Sequence, residues 1–139
     1  MNRYQFLKNL GLSGATIFAT LCVGSTLQSC KKNKVEPVDV DFILDLNATE
    51  NSALLANGGW LTRNDIVIAK TNQGVFVAVT AICSHQQQKQ ISFVATDNNF
   101  LCGAHGALFS ATGQGLNSNG AQGLRVYRTE LNGTNLRVF

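Results

Sequence analysis

Two short stretches of this chain each set a thiol beside an imidazole: Cys83-Ser84-His85 and Cys102-Gly103-Ala104-His105. Thiolate sulfur and imidazole nitrogen are soft or borderline donors. Four of them suit zinc, copper or an iron-sulfur centre rather than magnesium or calcium, which prefer oxygen. His85 and His105 are the only two histidines among 139 residues, and each stands next to one of the two downstream cysteines. Three other chemistries use the same residue types. A structural zinc site could be Cys2His2, but zinc-finger spacing pairs Cys with Cys and His with His, unlike these mixed pairs. A cysteine nucleophile with a histidine base needs one of each and leaves the second pair unexplained. A Cys83–Cys102 disulfide, acceptable in an exported protein, leaves both histidines to chance.

Taken together, Cys-x-His, a gap of sixteen residues and Cys-x-x-His-Gly resemble the ligand boxes of the Rieske family. The run from Phe100 to Phe109, followed by Thr112-Gly113, is similar to that family's second cluster loop and the turn after it, and Leu124, Tyr127 and Leu136-Arg137-Val138 match its final strands. The resemblance covers about Phe42 to Phe139. It implies one 2Fe-2S cluster, with Cys83 and Cys102 on one iron and His85 and His105 on the other, and a role as an electron carrier that is not an enzyme on its own. Two ferric ions, two sulfides and two thiolates cancel formally, so the mixed ligand set accepts an electron more readily than an all-thiolate cluster. The alternatives are a Rieske subunit of a membrane quinol-oxidising or other oxidoreductase complex and, further off, a structural zinc domain. Rieske oxygenases add a mononuclear-iron catalytic domain, for which 139 residues leave no room.

The sequence also departs from that pattern. High-potential members carry an extra cysteine in each loop, forming a disulfide, where this chain has Gln88 and Ala104. They also place a serine and a tyrosine, both donors to cluster sulfur, where Ala107 and Phe109 stand here. The family's proline-containing covering loop is replaced by Asn119-Gly120-Ala121-Gln122-Gly123, the one proline of the chain being Pro37. These differences predict a potential in the lower half of the Rieske range.

Loops that hold a metal must hang from rigid elements, and from Phe42 onward the pattern is of short strands and turns. Ile66 to Ala69, the turn Thr71-Asn72-Gln73-Gly74 and Val75 to Val79 read as a hairpin. Ile91 to Val94 and Phe100-Leu101 flank a turn at Asp97-Asn98-Asn99, and Leu124 to Leu131 and Leu136 to Phe139 flank Asn132-Gly133-Thr134. No stretch here shows a capped helical period. The expected fold is therefore all-β, a Rieske-like antiparallel sandwich or barrel with a small cluster-binding subdomain of two ligand loops. Trp60 is expected to pack in the core or a turn rather than to bind.

The first third reads differently. Arg3 and Lys8 precede an uncharged apolar run over residues 9–27, the order of a helical secretory signal. Leu27-Gln28-Ser29-Cys30 resembles the bacterial lipobox, which implies cleavage before Cys30 and its acylation; each buried methylene contributes about 0.8 kcal/mol, so several chains anchor firmly. Asn2-Arg3-Tyr4-Gln5-Phe6-Leu7-Lys8 resembles a twin-arginine signal that has lost one arginine, so either export route fits. Residues 1–29 are thus expected to be a signal peptide, 30–40 a lipid-anchored tether and 41–139 the cluster domain, at the periplasmic side of a bacterial envelope. Of the formal net charge of +3, the basic residues Arg3, Lys8, Lys31, Lys32 and Lys34 supply the clustered part, and the later arginines stand singly. That distribution excludes nucleic acid as a partner and leaves redox proteins and the membrane.

Overall fold

Ile66-Val67-Ile68-Ala69 is apolar at consecutive rather than alternate positions, so a strand made from it must be covered on both faces. In the computed structural model, which describes residues 39–139, these four side chains are completely buried. The strands are β1 (Phe42–Asp45), β2 (Trp60–Arg63), β3 (Ile66–Lys70), β4 (Phe76–Thr80), β5 (Ile91–Val94), β6 (Asn99–Cys102), β7 (Leu108–Ser110), β8 (Val126–Tyr127), β9 (Thr129–Asn132) and β10 (Asn135–Val138). They form three antiparallel sheets, ordered β1-β10-β9, β2-β3-β4-β8 and β5-β6-β7. The orders are open, and none of these sheets closes into a barrel. The expected signal segment, Cys30 and most of the tether lie outside the described residues.

The four-stranded sheet is a wall between two cores. Because side chains alternate along a strand, Val67 and Ala69 enter one core while Ile66 and Ile68 enter the other. Register carries the division into β4: Val67 faces Val79 in the first core and Ile68 faces Ala78 in the second. The second core is closed by Leu44 of β1, Leu136 and Val138 of β10, Tyr127 of β8, and Leu54. The first contains Ile91, Phe93, Phe100, Ala107 and Phe109 around Cys83 and Cys102. Phe93 and Phe100 meet edge to face at 5.2 Å, a favoured aromatic geometry.

Several elements differ from the sequence reading. Thr49–Leu55 is a 3-10 helix whose buried residues, Asn51 and Leu54, lie three apart. That is the eclipsed period of a 3-10 turn, so no 3.6-residue pattern exists to be found. Trp60 sits on the edge strand β2 with 38% of its surface exposed, opposite Ala69, instead of packing in the core. The expected strand Leu124 to Leu131 is broken at Arg128, because β8 pairs with β4 in one sheet and β9 with β10 in another. Leu108–Ser110, read as part of a loop, is the short strand β7, held by Phe100 opposite Phe109.

Candidate metal centre

The two candidate loops leave strands of different sheets and are built alike. The first follows β4; the Cys83 N–H donates to the Gln88 carbonyl at 2.9 Å and the Gln87 N–H returns to the Cys83 carbonyl at 2.8 Å. The second follows β6; the Cys102 N–H donates to the Ala107 carbonyl at 2.8 Å and the Gly106 N–H returns to the Cys102 carbonyl at 3.0 Å. Each loop therefore closes on its own cysteine with the same two bonds. Closure requires a left-handed residue four after the cysteine, and Gln87 has φ +57° and Gly106 φ +69°. Glycine adopts that conformation without cost, whereas glutamine is strained there, a backbone feature that concentrates at functional sites. A bond from the Gly103 N–H to the Gln90 carbonyl, 3.0 Å, joins the two loops.

This construction sorts the donors. Cys83 and Cys102 are free thiols, 1% and 0% exposed, while both imidazoles reach solvent. The Cys102 thiol lies within hydrogen-bonding reach of the Cys83 sulfur. The rings of His85 and His105 meet edge to face, centroids 5.2 Å apart. Burial pushes the Cys83 thiol up, the backbone N–H groups of His85 and Gln86 act against that, and the neighbouring Cys102 thiol adds to it. An isolated thiolate is thus disfavoured until a cation replaces the proton, while two backbone donors are already aimed at the sulfur.

The donor set fits a two-metal centre better than a single ion. The Cys83 and Cys102 sulfurs lie within reach of each other, and the His85 and His105 rings meet each other. They resolve into a sulfur pair and a nitrogen pair, each drawing one member from each loop. Ser84 Oγ, which stands between Cys83 and His85 in sequence, is buried without a hydrogen-bond partner among the described residues, as is Asn99 Oδ1 of β6. A buried hydroxyl left so beside two candidate ligands fits a site completed by a group from outside the polypeptide. The surroundings are nearly neutral. Residues 98–124 contain no Asp, Glu, Lys or Arg, and Lys89, in the first loop, is paired with Asp65 at 2.8 Å.

All four sequence-chosen donors are brought together. Sequence reasoning missed Asn117, whose side chain bonds to Leu108, Gly120 and Gly106, and the contact of Asn119 with the His105 carbonyl. The available signal was weak: an Asn three residues before Gly120 is a capping pattern. Gln88 and Ala104 add no further thiol to the two loops, and Ala107 and Phe109, completely buried in the same core as the two cysteines, supply no hydroxyl.

A Rieske [2Fe-2S] domain model matches residues 45–128, and the chain belongs to that family, whose domain binds a 2Fe-2S cluster and transfers electrons. Among solved structures, the plasma membrane Rieske protein PetC3 of the cyanobacterium Synechocystis PCC 6803 is similar at 27% identity and a TM-score of 0.53, over 63% of this chain and 92% of that one. The ferredoxin of carbazole 1,9a-dioxygenase from Nocardioides aromaticivorans IC177 shares the fold at 20% identity and a TM-score of 0.50, over 60% of this chain and 86% of that one. Naphthalene 1,2-dioxygenase shares it at 20% identity and a TM-score of 0.50, but 63% of this chain accounts for only 24% of the oxygenase chain. No curated protein matches in sequence.

A prediction follows from the residues at 107 and 109. Each donor aimed at cluster sulfur stabilises the more negative reduced form, so their absence places the midpoint in the lower half of the Rieske range of about −150 to +300 mV. Voltammetry at neutral pH should show this, with Ala107→Ser and Phe109→Tyr each moving the midpoint upward. A wild-type value above about +200 mV, or no upward movement in either variant, would contradict it.

Proposed function

We propose that Cys83 and Cys102 hold one iron of a single 2Fe-2S cluster, that His85 and His105 hold the other, and that the chain carries single electrons at the surface of a bacterial envelope. The observation that carries this reading is the sorting of donors: two dry thiols and two wet imidazoles, each pair taken from both loops. The cluster supplies the one-electron chemistry. The chain does the rest. Its first core keeps water from the sulfur side, and the N–H groups of His85 and Gln86 offset negative charge at Cys83. The exposed imidazole edges give an electron its shortest way out to a partner protein.

The envelope setting rests on sequence. The apolar run ending in Leu27-Gln28-Ser29-Cys30 supports a mature protein that starts at an acylated Cys30 and is tethered by residues 31–40. Ten residues reach at most roughly 35 Å, which keeps the domain close to its membrane. Among the described residues no helix is long and apolar enough to cross a membrane. The likeness to a plasma membrane Rieske protein is in keeping with this setting. Redox proteins are the proposed partners.

Purified protein is expected to contain two irons and two acid-labile sulfides per chain, and Cys102→Ser or His105→Ala to abolish the EPR signal of the reduced state. Zinc without iron, by elemental analysis, would sink the assignment. For the anchor, Cys30→Ser should retain the precursor mass and carry none of the acyl chains found on the processed wild type. A processed mass and fractionation identical to wild type would rule acylation out.

A further inference from the structure

The segment after β7 lies on the second ligand loop and is fastened to it by side-chain amides. Asn119 Nδ2 donates to the His105 carbonyl at 2.8 Å, and Asn117 Nδ2 donates to the Gly106 carbonyl at 2.8 Å. These are the two successive peptide groups that follow His105. They are also the ones most in need of support. Gly106 is left-handed, and a Cβ built on it would meet nothing within 4 Å, so no packing restrains the residue next to the histidine. Glycine has the widest conformational freedom of any residue, and a ligand beside it is held only as well as its peptide groups are held.

Asn117 is itself fixed. Its Oδ1 accepts from Gly120 N–H at 2.9 Å and from Leu108 N–H at 3.1 Å, so one amide ties the start of β7, the 3-10 helix Ser118–Gly120 and the ligand loop together. The contact is close: a Cβ on Gly120 would stand 2.4 Å from the Leu108 carbonyl oxygen. Gly120 also uses the N–H that a proline would lack, so this loop grips by hydrogen bonds that a proline there would remove. We infer that Asn117 and Asn119 are positioning residues that hold the His105 imidazole in one geometry on its iron, a role that rests on the ligation proposed above.

Asn117→Asp separates the two jobs of that side chain. The carboxylate keeps both acceptor bonds and remains a good cap, but it cannot donate to Gly106. Asn119→Ala removes the other donor without adding charge. In the full chain, both variants are expected to keep the wild-type fold by circular dichroism and to load iron. Each should broaden the EPR signal of the reduced cluster and lose iron to a chelator about threefold to tenfold faster, the order expected from one hydrogen bond. A lowered potential in Asn117→Asp without broadening would report only the added charge and would count against the inference. Leu54→Val, in the core on the far side of β3, controls for general destabilisation. Wild-type linewidth and iron loss in both asparagine variants would overturn the inference, as would equal changes in Leu54→Val at a matched loss of thermal stability. Wild-type protein with no Rieske EPR signal would instead overturn the ligation, and this inference with it.

Discussion

Two thiols kept dry within reach of two imidazoles kept wet is the condition on which the rest of this molecule depends. Sulfur bound to iron is protected by an apolar surrounding, whereas an electron leaves fastest from an edge that touches its partner. Both demands are met across a few ångströms by placing each Cys at the end of a buried strand segment and each His two or three residues further on. The thiols of Cys83 and Cys102 then join the first core, and the imidazoles emerge at its tip. The like hydrogen-bond closure of the two loops is what makes this sorting come out the same way twice.

That closure needs a base that does not yield. A single core under the loops would have to serve both as foundation and as cluster lining. Here the tasks are divided by β3, whose alternate side chains feed two cores at once. The second core, with Leu54, Leu136 and Val138, braces the wall from behind, and the first is left free to shape the site. A polar clamp at the opposite end of the hairpins adds to this: Asn72 donates to the Ala95 carbonyl at 2.6 Å, and Asn98 Oδ1 accepts the Asn72 N–H at 3.0 Å. The turns of two different sheets are thereby joined away from the loops, which limits how far the ligand sheet can rock on the wall.

How much of this was legible in the sequence depended on whether a feature is carried by a residue's own type or by backbone geometry. The four proposed donors could be picked out because Cys and His are scarce and their pairing is duplicated. The hairpins β3-β4 and β5-β6 were legible because β-branched runs flank turn residues with a mechanism, Gly74 at φ +79° and Asn98 at φ +52°. The 3-10 helix Thr49–Leu55 was not, since its two buried residues leave too short a pattern. Nor was the break at Arg128, where a continuous β-type sequence feeds two sheets and only tertiary pairing decides where it divides. The straining of Gln87 into a left-handed turn, and the grip of Asn117 on three backbone groups, likewise exist only once distant segments meet.

The central claim is that both imidazoles, and not one or neither, complete the iron site. Pulsed EPR of the reduced protein tests it most directly, because a nitrogen bound to iron leaves a strong coupling that a nitrogen merely nearby does not. Two such couplings from directly bound histidine nitrogens are expected in the wild type, with one lost in His85→Cys. A spectrum with no directly bound nitrogen, or with both couplings intact after that substitution, would contradict the account.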